Sequence, residues 1–187
     1  CHDVLHTAVG QKATGLLGCL STLADMSMPS EAEALTAFIH WVQTICVGRH
    51  IKDVNALCDG SALFEVLQGV DDVHFLPPRS SSLETLHRRV VSFCTQELHI
   101  QEEVLPVIDI TEGAKERSPS KSDLLKLLRL VLVIVLKSDH NDEQVNAMQT
   151  LSLDEQLIMK QVVEDVLSDY TSSDTTPPTT KEPIDGG

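Results

Sequence analysis

Apolar residues recur every three to four positions along most of the chain, the spacing that predicts amphipathic helices, and alternating segments typical of strands are few. The clearest case lies within residues 35–71. Its first half repeats four apolar residues at helical spacing: Phe38, Trp41, Val42 and Ile45. The pattern breaks at Gly48, and a second helix is predicted to open within residues 57–63 with Asp59 as its N-cap. The sequence therefore predicts an all-α bundle.

Serine residues mark the starts of two predicted helices. Ser30 precedes Glu33 by three residues, the spacing of a capping box, and it opens the helix that carries the single Trp. Ser81 or Ser82 is expected to cap a helix over residues 83–97. The predicted buried stripe of that helix has four members: Leu86, Val90, Phe93 and Cys94.

The longest apolar run covers residues 124–136. At about 1.5 Å of rise per residue it is too short to cross a hydrocarbon core of about 30 Å. Because it is apolar on nearly all sides, we expect it to be the central helix of the core, with Ser122 or Asp123 as its cap. The preceding segment, residues 99–122, is predicted to form a short helix around residues 104–110 and an exposed loop.

The last amphipathic region, residues 141–167, is long enough for one helix, yet Ser152 and Glu155 form a capping box in its middle. The sequence therefore predicts a bend. Ten apolar residues flank it: Val145, Met148, Leu151, Leu153, Leu157, Ile158, Val162, Val163, Val166 and Leu167. Either both halves simply pack on the bundle, or the surplus apolar face receives a partner helix.

Composition sets the domain organisation. With 187 residues and 42% hydrophobic content the chain can bury one core, filled by aliphatic residues because aromatic residues are only 3%. We predict an N-terminal helical extension (1–30), one domain (31–168) and a disordered polar linker (169–187). Five scattered cysteines without a CxxC pair indicate reduced thiols in a cytoplasmic protein.

The formal charge is −14, and much of it lies in the last quarter, where residues 139–187 hold eleven acids and two lysines. A surface this negative repels polyanions. Binding to nucleic acid, to an anionic membrane or directly to the acidic surface of microtubules is therefore disfavoured.

Motifs for catalysis or for a cofactor are absent from the sequence. There is no P-loop, GxGxxG or GxSxG pattern, and His2 and His6 lack a second pair of metal ligands. Cys94, which has histidines at 87 and 99 nearby in sequence, lies on an apolar stripe without an oxyanion motif. We predict no enzyme activity, no cofactor and no metal site; Trp41 and Phe64 are expected to be core residues.

The segment 35–71 resembles a known family. A Trp-bearing helix, a turn, and the pattern L-x-D-G-x-x-L from Leu57 to Leu63 are similar to the start of a calponin-homology fold, and more narrowly to the Hook domain of dynein adaptors. The apolar run 124–137 and the segment beginning at Val145 stand where later Hook helices belong. The resemblance covers about residues 31–168.

The resemblance implies a partner and a site. In Hook domains the final helix forms a groove for a helix of the dynein light intermediate chain. Asn146 stands where Hook proteins have a groove Gln, and Thr150 stands where they have a Met, so a short hydroxyl replaces a flexible apolar contact. The implied partner-binding residues are Val145, Asn146, Met148, Gln149, Thr150, Leu153 and Leu157.

The predicted function is a non-catalytic, cytoskeleton-associated adaptor head that links cargo to dynein for microtubule-based transport. The resemblance also implies that the full-length protein is a homodimer through a downstream coiled coil. The alternative is a calponin-homology module that binds microtubules or actin directly. Direct binding to an acidic filament should weaken steeply with ionic strength, whereas insertion of a helix into a groove should not.

Overall fold

The computed structural model describes residues 28–78, 82–110 and 119–171, and these residues form helices and no strand. The α-helices are α1 (Glu31–Ile45), α2 (Ser61–Gln68), α3 (Leu83–Gln96), α4 (Lys121–Lys137), α5 (Asp142–Gln149) and α6 (Leu153–Thr171). Two short 3₁₀ helices cover Val54–Leu57 and Glu102–Val104. The all-α prediction is confirmed. The predicted extension and linker lie almost wholly outside the described residues, so the domain boundaries stay predictions.

Helix α1 begins as the sequence predicts. The Ser30 side chain accepts from the amide of Glu33, and the Glu33 carboxylate accepts from the amide of Ser30 at 2.9 Å, which completes the capping box. Trp41, towards the C-terminal end of the helix, is completely buried, and its indole Nε1–H donates to the Gln144 carbonyl oxygen at 2.9 Å. The predicted core role of Trp41 is confirmed.

The start of α2 differs from the prediction. Its N-cap is Gly60, in the left-handed conformation (φ 71°), and not Asp59. A β-carbon at Gly60 would lie 3.2 Å from the carbonyl oxygen of Ser82, so the turn needs glycine. Asp59 still contributes, since its carboxylate accepts from the amide of Ser61 at 2.9 Å. Phe64, one turn into α2, is buried as predicted.

Helix α3 starts at the predicted cap, because the Ser82 side chain accepts from the amide of Thr85, and its predicted stripe is buried. The segment after it contradicts the prediction of a helix around residues 104–110. The 3₁₀ helix ends at Val104, and Leu105 is extended (φ −72°, ψ 141°). Pro106 explains this ending, because the residue before a proline avoids the α conformation.

Helix α4 is the centre of the core. It contacts each of the other five α-helices, and ten of its seventeen residues are buried. This confirms the prediction of a surrounded central helix. The cap is Ser120 and not Ser122 or Asp123, because the Ser120 hydroxyl accepts from the amide of Asp123 and the helix starts one turn earlier. No helix in the described ranges is long and apolar enough to cross a membrane.

Candidate functional site

The bend between α5 and α6 is built by the predicted capping box. The chain leaves helical geometry after Gln149 and re-enters it at Leu153. The Ser152 amide donates to a Glu155 carboxylate oxygen at 3.0 Å, and the Ser152 hydroxyl donates to the same oxygen at 2.6 Å. The Glu155 amide donates back to the Ser152 hydroxyl. These bonds satisfy the amides of Ser152 and Glu155 at the start of α6, and they confirm the predicted break between the two helices.

Two further side chains hold the bend in place. The side-chain amide of Gln156 donates to the carbonyl oxygens of Gln149 at 3.0 Å and Leu151 at 2.7 Å, and so connects α6 to the end of α5. The Glu155 carboxylate also pairs with the His40 ring on α1. The hydrogen bond from Ser152, opposed by partial burial and helped by His40, holds the pKa of Glu155 below its ordinary value. Gln156 thus holds the two helices of the bend together, and Glu155 joins the bend to α1.

Most of the apolar residues around the bend pack inward. Five of the ten are buried: Met148, Leu151, Val162, Val163 and Val166. Four are half-buried: Val145, Leu157, Ile158 and Leu167. Only Leu153 is largely exposed, at 61%. The surplus apolar face is therefore smaller than predicted. Helix α6 packs against both α1 and α4, so it needs a broad apolar face to contact two neighbours.

The structure places six of the seven predicted partner-binding residues at the surface of the bend. Asn146, Gln149, Thr150 and Leu153 are exposed, and Val145 and Leu157 are half-buried. We call these six residues the bend surface. Met148 does not share it.

Met148 is 1% exposed and belongs to the core. Thr150 directly follows α5, and its hydroxyl donates to the Ala147 carbonyl oxygen at 2.8 Å. The bend surface thus combines two exposed amides, Asn146 and Gln149, with one exposed leucine at the corner.

Gln144 is a structural residue that the sequence reasoning missed. It is 1% exposed, and its side-chain amide donates to the Val66 carbonyl oxygen at 3.3 Å, while its backbone oxygen accepts from Trp41. It therefore joins α1, α2 and α5. A usable signal existed, because Gln144 shares a helix face with Ala147 and Met148 at spacings of three and four.

Outside the bend, the described residues include few groups suited to catalysis or to metal binding. Cys94 is fully buried, and desolvation raises the pKa of its thiol to about 12, so the thiol is protonated at neutral pH. Burial lowers the pKa of His87. In the parts of the chain that the structure describes, no three His, Cys, Asp or Glu side chains cluster closely enough to hold a metal ion. His2 and His6 lie outside the described residues.

Comparison with known proteins supports the fold. No family model matches the sequence, and no curated protein matches it. The fold is similar to the solution structure of a conserved domain of the mouse HOOK1 protein, with a TM-score of 0.59 and 22% sequence identity; the match covers 78% of this chain and 96% of that one. This likeness confirms the predicted Hook-type helical fold.

Proposed function

We propose that this domain is a non-catalytic adaptor head that binds a helix of the dynein light intermediate chain on the bend surface and so links cargo to dynein for microtubule-based transport. The observation that carries the proposal is the exposed Leu153 at the corner of a bend held by Ser152, Glu155 and Gln156. A fixed corner with an apolar side chain is suited to receive the apolar face of an amphipathic helix.

The choice of partner is supported by the fold shared with the HOOK1 domain and by the resemblance of residues 35–71 to Hook domains. Polar groups on the bend surface fit the same partner. Asn146 and Gln149 are exposed, and each offers two amide donors and one carbonyl acceptor to a helix lying beside Leu153. The site is small, so we expect affinity in the micromolar range, about −8 kcal/mol.

The test is a fluorescence-anisotropy titration of the domain with a labelled peptide of the light intermediate chain helix. Leu153→Asp should weaken binding at least about tenfold, because it places an unpaired charge where an apolar contact forms. Val107→Asp is the matched control, since Val107 is 89% exposed and belongs to the extended segment after the 3₁₀ helix, outside α5 and α6. Both substitutions replace exposed side chains, so circular dichroism should report an intact fold for each.

Met148→Asp is unsuitable for this test because it would place a charge in the core and unfold the domain. Equal affinities for Leu153→Asp and Val107→Asp would refute the proposed site.

Co-sedimentation with bare microtubules and with bare actin filaments tests the alternative of direct filament binding. We expect no co-sedimentation, because α5 and α6 present mostly acidic charges to acidic filaments.

A further inference from the structure

The segment that forms the bend carries acidic side chains and neither Lys nor Arg, and one of these acids, Glu155, pairs with His40 of α1. Residues 138–159, which hold all of α5 and the first two turns of α6, contain five acids and neither Lys nor Arg. The acids are Asp139, Asp142, Glu143, Asp154 and Glu155, and the one titratable base is the exposed His140. The first lysine after the bend, Lys160, lies 3.9 Å from the Glu164 carboxylate, so its charge is partly offset.

The acids border the bend surface on both helices. Asp142 lies on the same face of α5 as Asn146 and Gln149, at helical spacings of four and seven, and all three are exposed. On α6 the exposed Asp154 follows Leu153 directly, and the exposed Glu164 lies seven residues after Leu157, on the same side of the helix. Lys160, three residues after Leu157, lies between Leu157 and Glu164 on that side and pairs with Glu164. The apolar and amide centre is thus flanked by carboxylates at Asp142 and Asp154.

Helix capping explains only part of this pattern. Acids in a first helical turn are stabilising because they face the positive end of the helix dipole, and Asp142, Glu143 and Asp154 occupy first turns. That effect places acids at helix starts, but it does not remove lysine and arginine from the remaining exposed positions of the bend. The exposed Asn146, Gln149 and Thr150 could each be basic without loss of packing.

We infer that the bend surface takes an amphipathic helix whose apolar face is flanked by lysine or arginine, and that it rejects a helix flanked by acids. This inference rests on the proposed function for the location of the site and specifies the chemistry of the partner. Opposite charges at the edge of an interface raise the association rate, and like charges there exclude wrong partners. Binding should consequently weaken with salt, so salt dependence alone does not separate helix binding from filament binding.

The experiment uses the whole 187-residue chain and three labelled peptides. The first is the light intermediate chain helix, the second carries two added lysines at each end, and the third carries two added glutamates at each end. At low salt the lysine peptide should bind at least about threefold tighter than the glutamate peptide, since each exposed charge pair contributes only modestly. At high salt the difference should shrink because the charges are screened.

Charge-neutralised variants of the protein locate the effect. The variant Asp142→Asn, Glu143→Gln, Asp154→Asn should bring the two affinities together. The matched control neutralises three exposed acids outside α5 and α6: Glu97→Gln, Glu102→Gln and Glu103→Gln. It should leave the difference unchanged. Because the peptide comparison uses the unaltered protein, the inference stays testable even where a variant unfolds.

The outcomes separate the two proposals. Binding of the parent peptide with equal affinities for the lysine and glutamate peptides overturns the inference and leaves the proposed function standing. Binding of the lysine peptide alone, lost in the α5–α6 variant, supports the inference and counts against the light intermediate chain as partner. Absence of binding by all three peptides overturns both.

Discussion

Gly69→Ala should destabilise the domain although the backbone there suits alanine. Gly69 lies at the end of α2 with φ −65° and ψ −17°, and alanine in such a conformation ordinarily stabilises a protein by about 0.4–1 kcal/mol. However, a β-carbon at Gly69 would lie 2.4 Å from the side-chain nitrogen of Gln144. The end of a glutamine side chain can move aside at little cost on a surface, but Gln144 is 1% exposed. We therefore expect the displaced amide to lose its hydrogen bond to the Val66 oxygen without gaining one to water.

The expected magnitude follows from these two opposing effects. Leaving a buried polar group unpaired costs about 1–3 kcal/mol, and the gain from the backbone offsets part of it. We expect Gly69→Ala to lower the free energy of unfolding by about 1–2 kcal/mol. Gly48→Ala is the control, because nothing lies within 4 Å of its added β-carbon, and it should be neutral or slightly stabilising.

The assay is urea unfolding followed by the fluorescence of Trp41, the single tryptophan, which is fully buried. A third variant, Gln144→Ala, removes the group that clashes. In that background Gly69→Ala should lose its cost, and the difference measures the coupling. Equal stability of Gly69→Ala and Gly48→Ala would refute the reasoning, as would an unchanged cost in the Gln144→Ala background.

Three further predictions follow from the core and the bend. Trp41→Phe removes the donor to the Gln144 oxygen and should lower the free energy of unfolding by about 1–3 kcal/mol in urea titrations followed by circular dichroism; an unchanged midpoint would contradict the role of that bond. The hydrogen bond from Ser152 lowers the pKa of Glu155 in the folded state, so the stability that this carboxylate contributes is present at pH values above its unfolded-state pKa and is lost as the pH falls through its folded-state pKa. The destabilisation by Glu155→Gln should therefore be full at pH 7 and shrink at acid pH, and a constant difference would count against this. Desolvation raises the thiol pKa of Cys46 and Cys94 to about 12, so mass spectrometry should find both unalkylated by iodoacetamide until urea is added; rapid native labelling would show that they are accessible.

The sequence predicted the features that depend on local bonds. Ser30 with Glu33, and Ser152 with Glu155, form capping boxes as expected because both partners lie within one turn. The N-cap of α2 lies one residue later than predicted, at Gly60 and not at Asp59, because the preceding residues form a 3₁₀ helix and Gly60 supplies the turn. The sequence pattern around Asp59 does not specify that 3₁₀ helix. Buried stripes on α3 and α4 also follow from spacing.

The sequence could not fix how many neighbours each helix has. The apolar residues of α5 and α6 looked like a surplus because their packing against two other helices is a tertiary property. The buried role of Gln144 depends likewise on the space left by Gly69, seventy-five residues earlier in the chain.

The most direct test of the central claim is a ¹⁵N–¹H NMR titration of the domain with the light intermediate chain helix peptide. The account predicts saturable shift changes concentrated on the bend surface, at Asn146, Gln149, Thr150 and Leu153. It also predicts little change in the exposed segment around Val107. Changes centred elsewhere, or no changes at concentrations well above the micromolar range, would contradict it.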